Sequence, residues 1–380
     1  MDAAETLVNI AVVFGTRPEA IKLAPVIAEL RRRRDVCVRV VTTAQHRELV
    51  DQVLDVFEIV PDTDLAVMQP RQTLAELSAR VLTAMDSLLT QNRPDFVIVQ
   101  GDTTSAFMCG LAAFYRGVSV AHVEAGLRTD SPTNPFPEEM NRRLTTALTS
   151  LHFAPTERAR QALRAEGVPA DRIFVTGNTV VDALQHICRT EAYRQTRIPV
   201  AIDAHHRLLL VTLHRRESWG GPLAGMCRAL RTIAESRPDV HIVFPVHLNP
   251  AVRDDVHESL GGVPRVTLVE PLDYIQFVAL MNASWLVLTD SGGVQEEAPA
   301  LGRPVLVLRE TTERPEAVEC GVARLVGTNP DAIRRAVTTL LDDPSERDRM
   351  ARAVSPFGDG HAAARIADVL ESRRAGSPSV

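Results

Sequence analysis

Residues 10–22 read Ile10-Ala11-Val12-Val13-Phe14-Gly15-Thr16-Arg17-Pro18-Glu19-Ala20-Ile21-Lys22. Five apolar residues in a row form a strand buried on both faces. Gly15 permits a tight turn, and Pro18 suits the first turn of a helix that the pattern carries to Arg34. A buried strand delivered through a glycine turn into a helix is the opening unit of a doubly wound α/β domain.

The same unit recurs along the chain. Val36 to Val41, Asp95 to Val99 and Val118 to Val123 read as further buried strands, with a helix around Ala106 to Tyr115. A second series follows Asn178, with strands at Leu208–Val211, His241–Phe244, Arg265–Leu268, Trp285–Leu288 and Pro304–Val307. Helical patterns lie between them, at Leu223 to Glu235 and Ala332 to Leu341. Two Rossmann-like domains are therefore expected, residues 1–175 and 176–361. A last helix over about 362–375 is placed back on the first domain. Ligands of such folds bind at the carboxyl ends of the strands, which puts the expected active site in an interdomain cleft.

A chain of 380 residues suits two such domains. Its net charge of −6 supplies no basic field for nucleic acid or an anionic membrane, so neither is an expected partner. An anionic ligand must be held by local cations and backbone amides. The five cysteines (Cys37, Cys109, Cys188, Cys227 and Cys320) are scattered and lie in or beside apolar runs, which reads as small core residues in a reducing cytoplasm. The acidic N-terminus and the lack of any apolar stretch of spanning length agree with that location.

Polar clusters follow the expected strands. Gly15 to Lys22 offers free helix-start amides and Arg17 to an anion, and also describes a plain turn with Arg17 paired to Glu19. It matches neither a P-loop nor a dinucleotide fingerprint, so neither ATP hydrolysis nor a nicotinamide cofactor is expected. Asp102 ends one strand and also suits a helix cap. Glu124 interrupts an apolar strand end, just before Gly126. Glu138 and Glu139 open a helix, where acids are at home in any case. Three carboxylates in one site would supply both a proton acceptor and a proton donor.

In the second half, His214, Arg215 and Arg216 follow a strand and suit an anionic ligand, or a solvated loop of paired charges. Pro245 to Pro250, with His247, is a weaker case of the same kind. Thr289 to Pro299 is the sharpest signal. Ser291, Gly292 and Gly293 at a strand-to-helix turn make a cradle for a diphosphate, with Glu296 one turn on to accept ribose hydroxyls. Arg309 to Glu316, including Arg314, is a charged loop able to reach phosphate.

These segments together resemble the bacterial non-hydrolysing UDP-N-acetylglucosamine 2-epimerase family. The motifs are GTRPEAIK (15–22), TAQHRE (43–48), GDTT (101–104), HVEAGLRT (122–129), PFPEEMNR (135–142), TGNTVVDAL (176–184), HRRES (214–218), PVHLNP (245–250), TDSGGVQEEAP (289–299) and TTERPEAV (311–318). The resemblance implies a glycosyltransferase-B-like fold and reversible epimerisation at C2 of UDP-N-acetylglucosamine. The implied route is anti elimination of UDP, a bound 2-acetamidoglucal and re-addition of UDP, without cofactor or metal. It also implies Asp102, Glu124, Glu138 and His214 as catalytic groups. Arg17, Lys22, Ser291, Gly292, Gly293, Glu296 and Arg314 fall in the UDP-sugar site. Gln45, Arg215 and His247 match an activator site for a second UDP-N-acetylglucosamine, with Arg71 close to it. A homodimer serving cell-surface polysaccharide synthesis is the family's usual setting.

Two positions depart from the pattern. Arg71 stands where glycine is expected, and Leu213 where a smaller residue is usual. Arg71 adds bulk and charge at the expected activator pocket. The rival readings are a hydrolysing epimerase, a nucleotide-sugar transferase of the same architecture, and a non-catalytic UDP-sugar sensor.

Overall fold

A computed structural model describes residues 7–43, 47–69, 71–129, 131–133, 135–198, 200–203, 205–215 and 218–373. The chain divides into two units, one of residues 1–186 with 357–380, the other of residues 187–356.

Unit 1 is built on seven parallel strands. They are β1 (Val8–Phe14), β2 (Val36–Thr42), β3 (Thr63–Asp64), β4 (Phe96–Gln100), β5 (Ser119–Val123), β6 (Leu151–Ala154) and β7 (Ile173–Val175), in the order β3-β2-β1-β4-β5-β6-β7. Val12 pairs with Ile98, and Ala121 with both Ile98 and Leu151. β4 is buried throughout, as its unbroken apolar run requires. The first helix spans Arg17–Arg31, three residues short of the expected end. Thr16 and Glu19 form a reciprocal capping box at its start.

Unit 2 repeats the plan with β8 (Arg207–Thr212), β9 (Val240–Pro245), β10 (Val266–Val269), β11 (Leu286–Thr289), β12 (Val305–Val307) and β13 (Ala323–Leu325). These are parallel, in the order β10-β9-β8-β11-β12-β13. Both sheets reverse direction beside their first strand, between β1 and β4 and between β8 and β11. The loops after those four strands are thus the places where a doubly wound sheet exposes backbone amides to a ligand.

The divisions fall at 186/187 and 356/357, where the sequence pattern had put 175/176 and 361/362. The intervening segments are tied to one another within unit 1. The N–H of Asn178 donates to the Phe357 carbonyl at 2.7 Å, and Asp182 accepts from the N–H groups of Ala362 and Ala363. The helix Ala362–Ser372 lies against Arg17–Arg31, and Arg33 reaches its Asp368 and Glu371 at 2.8 and 3.1 Å.

The expectation that all five cysteines are core residues fails for two. Cys109 and Cys227 are buried, but Cys37 and Cys320 are exposed. Cys37 lies in the first half of β2, and β3 pairs only with Val41 and Thr42, so that part of the edge is uncovered. No helix among the described residues is long and apolar enough to cross a membrane.

Candidate active site

In unit 1 the loop after β1 is organised by Glu19. Its carboxylate accepts from the N–H groups of Gly15 (2.9 Å) and Thr16 (2.7 Å), from the Thr16 hydroxyl and from Thr103 Oγ1 (2.6 Å). Burial pushes its pKa up, partly offset by these four donors. The alternative pairing of Glu19 with Arg17 is therefore not what fixes this turn. Arg17 opens the helix half-buried, and Lys22 emerges from its next turn in an ion pair with Glu124.

Glu124 follows β5 in the left-handed region, with φ +65°. A non-glycine residue there is strained by about 1–2 kcal/mol, and such residues cluster where a side chain must be aimed. Gln100 Nε2 donates to the same carboxylate oxygen as Lys22, at 2.8 Å. Two residues on, Gly126 has φ +90°, and a Cβ there would collide with the Ala159 carbonyl and sit 2.9 Å from Leu163 Cγ. The turn thus needs glycine both for its φ and for the approach of the helix Glu157–Ala165.

Asp102 follows β4. Its carboxylate meets Arg142 at 2.6 Å, and its carbonyl accepts from Asn141 Nδ2 at 2.9 Å. Arg142 also contacts Glu139 at 3.0 Å, and Arg143 reaches the other oxygen of that fully buried carboxylate. Glu139 is therefore a structural anchor of the helix Glu138–Leu148. Glu138 differs: its Oε2 is buried and has no hydrogen-bond partner among the described residues. Behind these loops, His122 lies 2.7 Å from the Gly101 carbonyl. Burial lowers its pKa to about 4, and it pairs in register with His152, lowered to about 3 for the same reason.

In unit 2 the organising carboxylate is Asp290, fully buried at the end of β11. It accepts from the N–H groups of His214 (3.1 Å) and Arg215 (3.0 Å) and from the Ser218 hydroxyl (3.0 Å), all on the loop after β8. His214 Nδ1 is 3.4 Å from Asp290 Oδ1, and the ring stacks on His247 with centroids 6.4 Å apart. Burial lowers the His214 pKa; Asp290 raises it, and Arg215, His247 and Arg309 lower it further.

Around Gly292 the chain gathers guanidinium groups. A Cβ on Gly292 would lie 3.3 Å from the Arg314 guanidinium and 3.5 Å from Arg215 Nη2, whereas Gly293 faces open space. Arg314 Nε donates to the buried Glu296 at 2.8 Å. Glu313 is shared by Arg309 (2.7 Å), Arg215 (3.8 Å) and Arg314 (3.9 Å). Burial alone would raise its pKa, but these three cations hold it down to about 2. Ser291 starts the helix Gly292–Ala300 without spending its side chain on the cap. A free hydroxyl, helix-start amides and crowded guanidinium groups favour an anion.

Within unit 1, then, Asp102 and Glu124 lie in the loops after β4 and β5, Lys22 pairs with Glu124 from the first helix, and Glu138 opens the helix whose Arg142 holds Asp102. Within unit 2, His214, Ser291 and Arg314 lie in the loops after β8, β11 and β12, Gly292 and Glu296 lie on the helix after β11, and Arg215 and His247 lie on the loops after β8 and β9. Gln45 and Arg216 lie outside the described residues. Arg71 is exposed with φ +59°, a conformation that favours glycine. Leu213 is buried in the core of unit 2. Glu19, Arg142, Asp290 and Glu313 were not singled out from sequence. Asp290 carried the signal used for Glu124, an acid closing an apolar strand.

Paired sheets of this order, each with polar loops at its reversal point, define a glycosyltransferase-B-like two-domain protein. A glycotransferase of kitacinnamycin shares the fold, with a TM-score of 0.67 at 16% identity over 96% of this chain and 99% of that one. The profile of the family described as UDP-N-acetylglucosamine 2-epimerase matches residues 28–371, and the chain belongs to that family. The UDP-N-acetylglucosamine 2-epimerase of Escherichia coli (strain K12) is 50% identical over 373 residues, covering 96% of this chain and 99% of its own. That of Bacillus subtilis (strain 168) is 49% identical over 362 residues, covering 95% and 94%. The crystal structure of UDP-GlcNAc 2-epimerase from Neisseria meningitidis bound to UDP-GlcNAc matches with a TM-score of 0.92, at 44% identity and 96% and 100% coverage.

Proposed function

We propose that this chain interconverts UDP-N-acetylglucosamine and UDP-N-acetylmannosamine without releasing the sugar. In this reading a carboxylate of unit 1 removes the C2 proton, the C1–O bond breaks with both electrons leaving on UDP, and 2-acetamidoglucal stays bound. UDP then re-adds at C1 as a carboxylic acid returns a proton to the opposite face of C2. Asp102, Glu124 and Glu138 are the acid–base groups. Lys22 and Arg17 serve near the phosphates, and His214 and Arg314 take the charge that develops on UDP. Ser291, Gly292 and Gly293 hold the diphosphate, and Glu296 the ribose.

The observation that carries the reading is the state of Glu138. A carboxylate oxygen buried without a donor is costly, and that cost is relieved when a ligand arrives. It stands one helical turn from Asn141 and Arg142, which hold Asp102. A transferase has no use for Glu138 in this state beside two further carboxylates, Asp102 and Glu124, in its first unit. Proton NMR of the protein with UDP-N-acetylglucosamine in heavy water tests this: deuterium should enter C2 as the manno product appears. Turnover without exchange would refute it, and free UDP accumulating with turnover would favour the hydrolysing rival.

A cytoplasmic homodimer belongs to the same reading. The helix Thr104–Tyr115 presents an apolar face at its end through the exposed Phe114 and Tyr115. Met140 and Leu144 add to that face from the neighbouring helix, and apolar faces of this kind are covered by partners. Light scattering giving the mass of two chains is the expected result. Activation by a second UDP-N-acetylglucosamine is proposed to be altered by Arg71. Progress curves begun from UDP-N-acetylmannosamine alone should show no long lag that trace UDP-N-acetylglucosamine abolishes.

A further inference from the structure

The carboxylate of Asp290 is buried, yet its oxygens face no lysine or arginine side chain among the contacts described. Its partners are the N–H groups of His214 and Arg215 and the hydroxyl of Ser218, at 3.0–3.2 Å. All three belong to the loop after β8, while Asp290 itself closes the adjacent strand β11. Its own N–H donates to the Thr212 carbonyl, at the last residue of β8. One acid therefore joins the two loops at the sheet's reversal point. Its lone pairs are used within the protein, so it is not a group that touches the substrate.

The consequence falls on His214. With Nδ1 on the Asp290 side at 3.4 Å, the nitrogen left for a ligand is Nε2, and the side chain is 41% exposed. The charged groups facing the ring are Asp290 from β11, Arg215 from its own loop, His247 from the loop after β9 and Arg309 from the loop after β12. Three of these oppose an imidazolium. Asp290 is the anion that favours one when a diphosphate binds.

We infer that Asp290 is a positioning residue for the proposed reaction, holding His214 with Nδ1–H toward the protein and Nε2 toward the leaving diphosphate. The inference rests on the epimerase reading for the role of His214, and not for the geometry. The 3.4 Å separation is longer than a good hydrogen bond, and UDP binding is expected to shorten it.

Two measurements test it. The first uses the unaltered protein: ¹⁵N chemical shifts of the His214 ring at neutral pH should report the Nδ1–H tautomer without UDP, and an imidazolium protonated on both nitrogens with it. A predominant Nε2–H tautomer overturns the inference, whatever the enzyme's activity. The second uses Asp290→Asn beside Ser218→Ala, which removes one loop contact but leaves the charge. In Asp290→Asn the His214 titration should move about one pH unit down, and kcat should fall at least about tenfold. Ser218→Ala should leave that titration in place. Equal His214 titrations in Asp290→Asn and the parent would also overturn it. Absence of epimerase activity in the parent, with the tautomer as stated, would sink the reaction assignment and leave the positioning role standing.

Discussion

Thr103 Oγ1 donates to Glu19 across 2.6 Å, and that contact joins the loop after β4 to the loop after β1. The same hydroxyl accepts from the Ala106 N–H as a helix cap. Glu19 takes two backbone N–H groups on its other oxygen.

This arrangement separates two substitutions. Glu19→Gln can keep its oxygen on Gly15 and Thr16 and turn its amide toward the rotatable Thr103 hydroxyl, so it should cost less than about 1 kcal/mol. Glu19→Ala strands buried donors and should cost about 2–4 kcal/mol. Urea denaturation of both variants checks this, and an equal loss would show that charge, not hydrogen bonding, matters at Glu19.

Amide replacement of the acid–base groups should act on turnover and spare the fold. Asp102→Asn, Glu124→Gln and Glu138→Gln are each expected to lower kcat at least about a hundredfold. Coupled assay of UDP-N-acetylmannosamine formation decides it. Near-normal rates in all three would end the assignment.

The guanidinium cluster predicts a binding defect of a different kind. Arg314→Met removes a cation from beside Gly292 and from the buried Glu296. UDP affinity by calorimetry should fall about tenfold or more. An unchanged Kd would place the diphosphate elsewhere.

His122 and His152 give a signed pH dependence. Both are held neutral in the fold, at about 4 and about 3, chiefly by burial. An unfolded histidine takes up a proton near pH 6.5, so below that value the unfolded chain binds protons that the folded chain refuses. Their contribution is whole above 6.5 and shrinks as pH falls toward the folded values. Between pH 7 and 5 each should remove about 2 kcal/mol of stability. His152→Gln should flatten that decline by about half of the pair's share. Parallel declines in variant and parent would show the histidines are not responsible.

Gly126→Ala tests the turn that presents Glu124. The added Cβ meets the Ala159 carbonyl at a φ of +90°, and the helix Glu157–Ala165 must retreat. A loss of about 2–4 kcal/mol is expected, seen as a lower urea midpoint, together with reduced turnover. A midpoint within experimental error of the parent would contradict it.

What could be read from the sequence was set by length and contrast. The runs that became β1, β4 and β5 are long enough to announce buried strands. β3, β7 and β13 have two or three residues, too few for any period to register. β6 has four, one of them His152. Glu124 stood out because an acid ends an apolar run. Glu19 did not, because a glutamate in a first helical turn is ordinary in any helix. Glu139 and Glu138 are neighbours with the same local pattern, and only packing distinguishes the anchored acid from the one lacking a donor. Cys37 was misjudged because strand membership says nothing of how far the neighbouring strand extends.

The return of residues 357–373 to unit 1 also sets an order of events on the ribosome. Unit 2 is continuous in sequence, so it can fold once its last residue has emerged. Unit 1 has to wait with the partners of Asp182 and Arg33 missing until the chain beyond unit 2 is made. A chain truncated after residue 356 should therefore carry a finished second unit beside a first that is still incomplete and open to proteases.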